Sequence, residues 1–338
     1  VTGTVVRAFT DRDLEAAGRL LAARHVAHRR REPLLDARFE RPDVAAEAVL
    51  AAWQKDAASG AVAVRGGATV GYLVGAPKAD PVWGDNVWVD SAGHAVAPGA
   101  AEVARDLYGY AAQRWVDEGR TAHYVLAPAG GDGGPAAGGS DALVDAWFRL
   151  AFGLQHVHAV REPLPAAPAP RLPLVVRAAE VADVPALGAL DVALPAHQAR
   201  SPVFGGAAVP TVEEQTQDWA DTFGDPRFPT WVAQVPGPDG GPRVVGAAVG
   251  CALTESRTHE GLALLPDAGF LGFAAVLPGA RGLGAGRALG ERVLAWSGEA
   301  GHACCVTDWR ATNLLSSRAW PRLGFRDTFW RLHRTVGH

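Results

Sequence analysis

Between Val276 and Gly286 the chain reads V-L-P-G-A-R-G-L-G-A-G, and the residues from Arg287 to Ala300 can continue as a helix. An apolar strand, a glycine-rich turn and a helix N-terminus in that order make a backbone that cradles a phosphate. The glycines permit close approach and unusual dihedrals, and the first helical turn offers unpaired N–H groups to an anion. Arg281 and Arg287 are the cationic side chains best placed to help, or else carry ordinary surface charge. The pattern predicts an enzyme that holds a phosphate-bearing cofactor at this turn. It does not end in the G-K-[ST] that a P-loop needs to reach phosphates and magnesium, which argues against a nucleotidase.

The elements that must position this turn can be read around it. A strand is expected over Phe270 to Val276, a helix from about Gly286 to Ala300, and a second strand over Ala303 to Asp308. Beyond them lie a helix from Leu314 to Arg322 and a closing strand from Arg326 to Arg334. Upstream, a strand near Leu174 to Ala178 precedes a helix from about Ala182 to Leu190. A Pro-, Gly- and His-rich segment follows from Asp191 to Pro210, then a helix near Thr211 to Thr222 and strands near Thr230 to Val235 and Val244 to Thr254. This order describes a mixed sheet flanked by helices.

The same order occurs twice. V-V-R-A-F-T-D-R-D-L-E-A-A-G-R-L from Val5 answers V-V-R-A-A-E-V-A-D-V-P-A-L-G-A-L from Val175, so that Arg7, Asp13 and Gly18 align with Arg177, Asp183 and Gly188 at a constant offset of 170 residues. Further on, Ala97 to Ala100 answers Leu277 to Ala280, and W-F-R-L-A-F from Trp147 answers W-P-R-L-G-F from Trp320. An internal duplication follows. The Pro-rich stretch from Glu162 to Pro173 is the expected linker, which places domains at 1–165 and 172–338, and the Gly-rich stretch from Ala129 to Ser140 is an expected mobile surface loop. The copies are unequal: where the second has R-G-L-G-A-G-R-A from Arg281, the first has A-E-V-A-R-D from Ala101, without the glycines and with Glu102 and Asp106 set to repel an anion.

Composition narrows the classes. The 338 residues are 48% hydrophobic and 20% charged with a formal charge of −4, so the chain is globular and large enough for two cores, and neither nucleic acid nor an anionic membrane is the expected partner. Cys251, Cys304 and Cys305 have no ligand spacing, which leaves no metal or disulfide framework and makes each a small buried hydrophobe. No basic patch with an apolar core follows the N-terminus, and no run approaches about 18 apolar residues, so a soluble cytoplasmic protein is expected. Trp53, Trp83, Trp88, Trp115 and Trp147 suit core packing better than a groove, and the basic run from His25 to Glu32 reads as a solvated helix face.

The glycine turn together with N-x-x-S-S-x-x-W-P-R-L-G-F from Asn313 resembles the GNAT acetyltransferase superfamily. That superfamily uses R/Q-x-x-G-x-G/A for the acyl-CoA pyrophosphate, followed by an Asn and a late Y-x-x-x-G-F. Arg281, Gly284 and Gly286 match the first pattern, and Asn313, Leu323, Gly324 and Phe325 the second. The resemblance is strong over residues 172–338 and weaker over 1–165, and implies an α/β (α+β) chain of two tandem acyl-CoA N-acyltransferase domains with a degenerate, non-catalytic first copy. It implies transfer of an acetyl group from acetyl-CoA, or another acyl-CoA, to a small-molecule amine, by direct attack on a thioester lying between two splayed strands. The implied cofactor contacts are Leu277, Arg281, Gly282, Leu283, Gly284, Ala285, Gly286, Arg287, Asn313, Ser316 and Trp320. Asn313 is equally readable as a plain helix N-cap.

An amide near Val276 would stabilise the oxyanion. The acid and base are open. Trp320 stands where relatives carry a proton-donating tyrosine, and indole can donate a hydrogen bond but not a proton, so the thiolate leaves unassisted or with help from Ser316 or Ser317. Candidate bases are Glu255, His259, Glu260, Asp267 and Asp308, each otherwise a solvated charge. Trp309 is readable as a wall of the acceptor pocket or as packing, and His197 falls where relatives form an acceptor-side loop. The missing tyrosine keeps a non-catalytic acyl-CoA- or ligand-binding protein as the alternative. A monomer or a homodimer suits an internally duplicated chain.

Overall fold

A computed structural model describes residues 3–78, 83–130, 142–166, 169, 173–205 and 207–337. Most of the expected Gly-rich loop, and residues 167, 168 and 170–172 of the expected linker, lie outside them. The chain divides into two compact units: residues 1–158, 260–265 and 327–338 form the first, and residues 159–259 and 266–326 the second. The chain passes between the units at 158/159, 259/260, 265/266 and 326/327, and the Pro-rich stretch lies within the second. The last residues of the chain join the first unit.

In chain order the first unit contains β1 (Val5–Ala8), α1 (Leu14–Arg29), α2 (Pro42–Trp53), β2 (Ser59–Arg65), β3 (Ala68–Gly75), β4 (Asn86–Val89), β5 (His94–Val96), α3 (Val103–Asp117), β6 (Ala122–Pro128), α4 (Ala142–Phe148) and the start of β7 (Gly153–Arg161). Strands run β1-β2-β3-β5 in one antiparallel sheet. Trp115 and Trp147 are 1% exposed and fill the core with Tyr72, Leu73 and Leu107, as the sequence predicts for these two tryptophans. The basic run is only in part a solvated face, with Arg30 and Arg31 exposed. His25 and His28 are buried, and Arg24 donates to the carbonyls of Ser91 and His94.

The second unit holds β8 (Val175–Ala178), α5 (Val184–Gln198), α6 (Val212–Thr222), β9 (Thr230–Pro236), β10 (Pro242–Ala252), β11 (Ala268–Val276), α7 (Ala285–Glu299), β12 (Cys304–Arg310) and α8 (Leu314–Arg322). The final strand, β13 (Arg326–Thr335), pairs antiparallel with β6, from Phe329 opposite Pro128 to Thr335 opposite Ala122. Strand order β8-β9-β10-β11 repeats the order of the first sheet, with β12 added in parallel beside β11. Leu187 and Leu190 of α5 pack on Val232, Ala247 and Ala275 of the sheet. Helix α5 continues through Pro195 to Gln198, where the sequence suggests an irregular segment. A single interior proline removes one N–H, and the packed face of the helix offsets that loss.

The duplicated residues staple each unit in the same way. Arg7 grips Asp13 through two bonds of 2.8 and 2.7 Å, and Arg177 grips Asp183 through two of 2.7 and 2.9 Å. Each aspartate also accepts the backbone N–H three residues earlier, fixing the strand-to-helix turn. Gly18 and Gly188 are glycine because a partner helix passes against them: an added Cβ would lie 2.6 Å from Ala46 Cβ in the first unit and 2.2 Å from Thr216 Oγ1 in the second.

Candidate active site

The glycine turn forms the mouth of a cavity in the second unit. Gly282 and Gly284 have φ of +85° and +86°, a left-handed conformation that a Cβ disfavours. Gly284 is the N-cap of α7, and with no side chain it leaves the helix start uncapped. The first bond into α7 runs from Ala288 N–H to the Gly284 carbonyl, 3.0 Å. The amides ahead of it are thus available to an anion at the positive end of the helix. The corresponding stretch of the first unit differs: Val103, Ala104 and Arg105 N–H groups bond back to the Ala100, Ala101 and Glu102 carbonyls at 3.0–3.1 Å. There the turn consumes its own donors.

Behind the turn the cavity holds about 450 Å³ and is lined by Val276, Arg281, Gly282, Gly284, Ala285, Gly286, Arg287, Asn313, Ser316 and Trp320, all expected from the sequence. The size suits a small-molecule site. Arg281 is exposed and makes no ion pair among the described residues, whereas Arg287 Nε donates to Glu291 at 2.7 Å. Asn313 is buried and caps α8, its Oδ1 accepting from the Leu315 and Ser316 amides at 3.2 and 3.4 Å. Leu277 and Leu283 do not line the cavity. The Leu277 N–H is taken by the Val245 carbonyl at 2.9 Å, and Leu283 points to solvent. Ser317 is also outside it, its hydroxyl donating to the Ala311 carbonyl at 2.9 Å. Sequence reading passed over several lining residues, among them Ala193 and Leu194 of α5 and Arg322 at the end of α8. His197 lines this cavity too, its Nε2 3.3 Å from Asn313 Oδ1.

Strands β11 and β12 pair in parallel only from Ala268 opposite Cys304 to Leu271 opposite Thr307. At that last pair the Thr307 hydroxyl donates to the Leu271 carbonyl, 3.0 Å. Past it the ladder stops while both strands continue, so the two part. The register between β10 and β11 shifts at the same level, Val249 facing Phe273 and Gly250 facing Leu271, which leaves Gly272 as an extra residue in β11. Such a bulge bends a strand and breaks its pairing.

A second cavity, about 840 Å³, lies along the earlier part of β11 and is lined by Phe270, Gly272 and Phe273, whereas the first cavity begins at Ala274. The two thus adjoin on consecutive residues of one strand. Asp308 and Glu255 line the second cavity, with Ser256 and Thr258 beside them. His259 sits behind this wall with its side chain fully buried. Its Nδ1 is 2.8 Å from Ser256 Oγ, its Nε2 3.8 Å from Asp308 Oδ2, and its ring lies edge-on to Phe270. Glu255 is 3.3 Å from Arg227. Glu260 belongs to the first unit, held by Lys55 at 3.2 Å, and Asp267 lines neither cavity. Trp309 is buried packing, and all three cysteines are buried and free, burial pushing the Cys251 thiol up to about 11.

No protein-family model and no curated protein matches the chain. Solved structures do match. A GCN5-related N-acetyltransferase from Sphaerobacter thermophilus superposes with a TM-score of 0.55 at 18% identity, covering 98% of this chain and 95% of that one. The GCN5-related glucosamine N-acetyltransferase region of a fungal multi-domain GH3 beta-N-acetylglucosaminidase gives 0.52 at 15% identity, over 98% of this chain and 38% of that one. The chain has the GCN5-related N-acetyltransferase fold, and the first of these matches runs through both of its units. Among the described residues no helix is long and apolar enough to cross a membrane, and no three His, Cys, Asp or Glu side chains are grouped to hold a metal ion.

Proposed function

We propose that the second unit transfers an acetyl group from acetyl-CoA to the amine of a small molecule, and that the first unit does not bind acyl-CoA productively. One observation carries this: a cavity headed by unpaired helix amides and a second cavity lined by carboxylates adjoin on β11, where it parts from β12. The diphosphate fits the donors of residues 282–287, with Arg281 adding charge, and the pantetheine arm fits the apolar cavity between α5 and α8.

The cosubstrate supplies an activated acyl carbon and a thiolate that leaves readily. The chain supplies position and charge. The main chain of β11 up to Val276 donates to the carbonyl oxygen as it gains negative charge. Asp308 takes the proton from the acceptor amine, its Oδ2 accepting from the Thr258 hydroxyl at 3.4 Å and lying 3.8 Å from His259 Nε2. The amine nitrogen bonds to the acyl carbon, the carbon–sulfur bond breaks, and the sulfur takes its proton from water or Ser316. Trp320 closes the cavity as a wall and gives up no proton. Since both reactants are held side by side, no covalent enzyme intermediate is needed.

Acetyl-CoA mixed with the purified protein and a panel of primary amines will release free thiol in an acceptor-dependent manner, read by a thiol-reactive dye. Retention of CoA in native mass spectrometry with no thiol release from any amine would make the protein a binding protein instead.

A further inference from the structure

The cavity on the acceptor side has a composition that selects its occupant. Its acidic lining comes in two groups on different elements: Asp191 of α5 with Asp218 of α6, and Asp308 of β12 with Glu255 after β10. Two arginines also line it. Arg227 is already engaged by Asp225 at 2.7 Å and by Glu255, and Arg257 is exposed. The same cavity is lined by the aromatic side chains Trp219, Phe223, Phe228 and Phe273. Trp219 Nε1 donates to Asp191 at 3.0 Å, which orients this carboxylate on the cavity wall.

We infer that the acceptor is a cation twice over: one amine is presented to Asp308 for acetylation, and a second positive group, carried on an apolar or aromatic body, is held by Asp191 and Asp218. This rests on the acetyltransferase reading and names the substrate class of that site. Burial, and the nearby Asp218, push the Asp191 carboxyl above its usual range against the opposing hydrogen bond from Trp219. A bound ammonium or guanidinium restores the charge balance, and the aromatic walls add cation–π attraction to it. An acceptor bearing its own carboxylate meets repulsion from both groups. Asp191 and Asp218 do not touch the reacting atoms, so they set specificity rather than rate.

The test compares kcat/KM for agmatine and spermidine, 2-phenylethylamine and glutamate, by thiol release, in the full chain and in Asp191→Asn and Asp218→Asn. Asparagine keeps the acceptor atom for Trp219, and the thermal midpoint of each variant confirms that it folds. The dications are expected to exceed glutamate by at least about 100-fold, an advantage that shrinks with salt. Each variant should lose at least about tenfold more on the dications than on 2-phenylethylamine, mostly in KM, which matches one charge pair of order 1.4 kcal/mol. Calorimetric titration of agmatine without acetyl-CoA should show the same ordering. Turnover that favours anionic or neutral amines, or variants that lose equally on all amines, overturns the inference and leaves acetyl transfer standing. Absence of thiol release from every amine overturns acetyl transfer, and agmatine binding that weakens in the variants would then still support a dication site.

Discussion

An alkylamine near neutral pH is protonated by about three orders of magnitude over its free base, so the residue that accepts its proton governs turnover. Asp308 has the position for this, on the strand that parts from β11 and on the wall of the acceptor cavity. Glu255 shares the cavity but is tied to Arg227. We expect Asp308→Asn to lower kcat by about 100-fold or more, the usual worth of a general base, with the KM for acetyl-CoA changed less than about threefold. Steady-state thiol release measures both, and an unaltered kcat would move the base to Glu255. Ser256→Ala, which removes the nearer of the two hydroxyls on His259 Nδ1, is expected to lower kcat and leave the KM for acetyl-CoA unchanged.

At the scale of elements, the acceptor wall depends on how closely α5 and α6 approach. Gly188 makes that approach possible, since a methyl there would meet both the hydroxyl and the backbone nitrogen of Thr216, the latter at 2.8 Å. The backbone cannot yield as a side-chain tip can. Gly188→Ala should therefore cost about 1–3 kcal/mol of stability, read as the urea midpoint, and raise the KM of the acceptor more than that of acetyl-CoA, because α5 and α6 carry Asp191 and Trp219. A midpoint equal to that of the parent would refute the close-contact account. Helix α7 gives the complementary case. Its start is held open by left-handed Gly284, whereas the start of α3 closes on its own carbonyls.

For the whole molecule this difference sets a count. Two units share one strand order, but only the second offers a vacant helix start, so calorimetry should find close to one CoA per chain. A stoichiometry near two would falsify the division of labour. Stability carries a second signature. Burial holds His28 and His94 neutral, lowering each pKa from 6.5 to about 3. Between these values the unfolded chain binds protons that the folded chain does not, so stability is intact above about pH 6.5 and falls as the pH drops toward 3, by up to about 1.4 kcal/mol per pH unit for each histidine. The thermal midpoint should therefore decline between pH 7 and pH 5, and His28→Leu should flatten that decline.

What the sequence determined by itself is what neighbouring residues decide. Positive φ at Gly282 and Gly284, the Asn313 cap on α8 and the spacing of Arg7 to Asp13 and of Arg177 to Asp183 are local matters of dihedral and reach, and each was legible, as was the order of strands and helices along the second half of the chain. Tertiary structure alone decided which distant segments meet. The cavity lined by Asp191, Trp219 and Asp308 draws on α5, α6 and the ends of β10 and β12, none of which carries a motif. Helix α5 runs through Pro195 because packing on Val232 and Ala247 outweighs one missing bond. Strand β13 completes the first unit because it pairs from Phe329 to Thr335 with β6, and an antiparallel partner about two hundred residues away leaves no mark in local pattern.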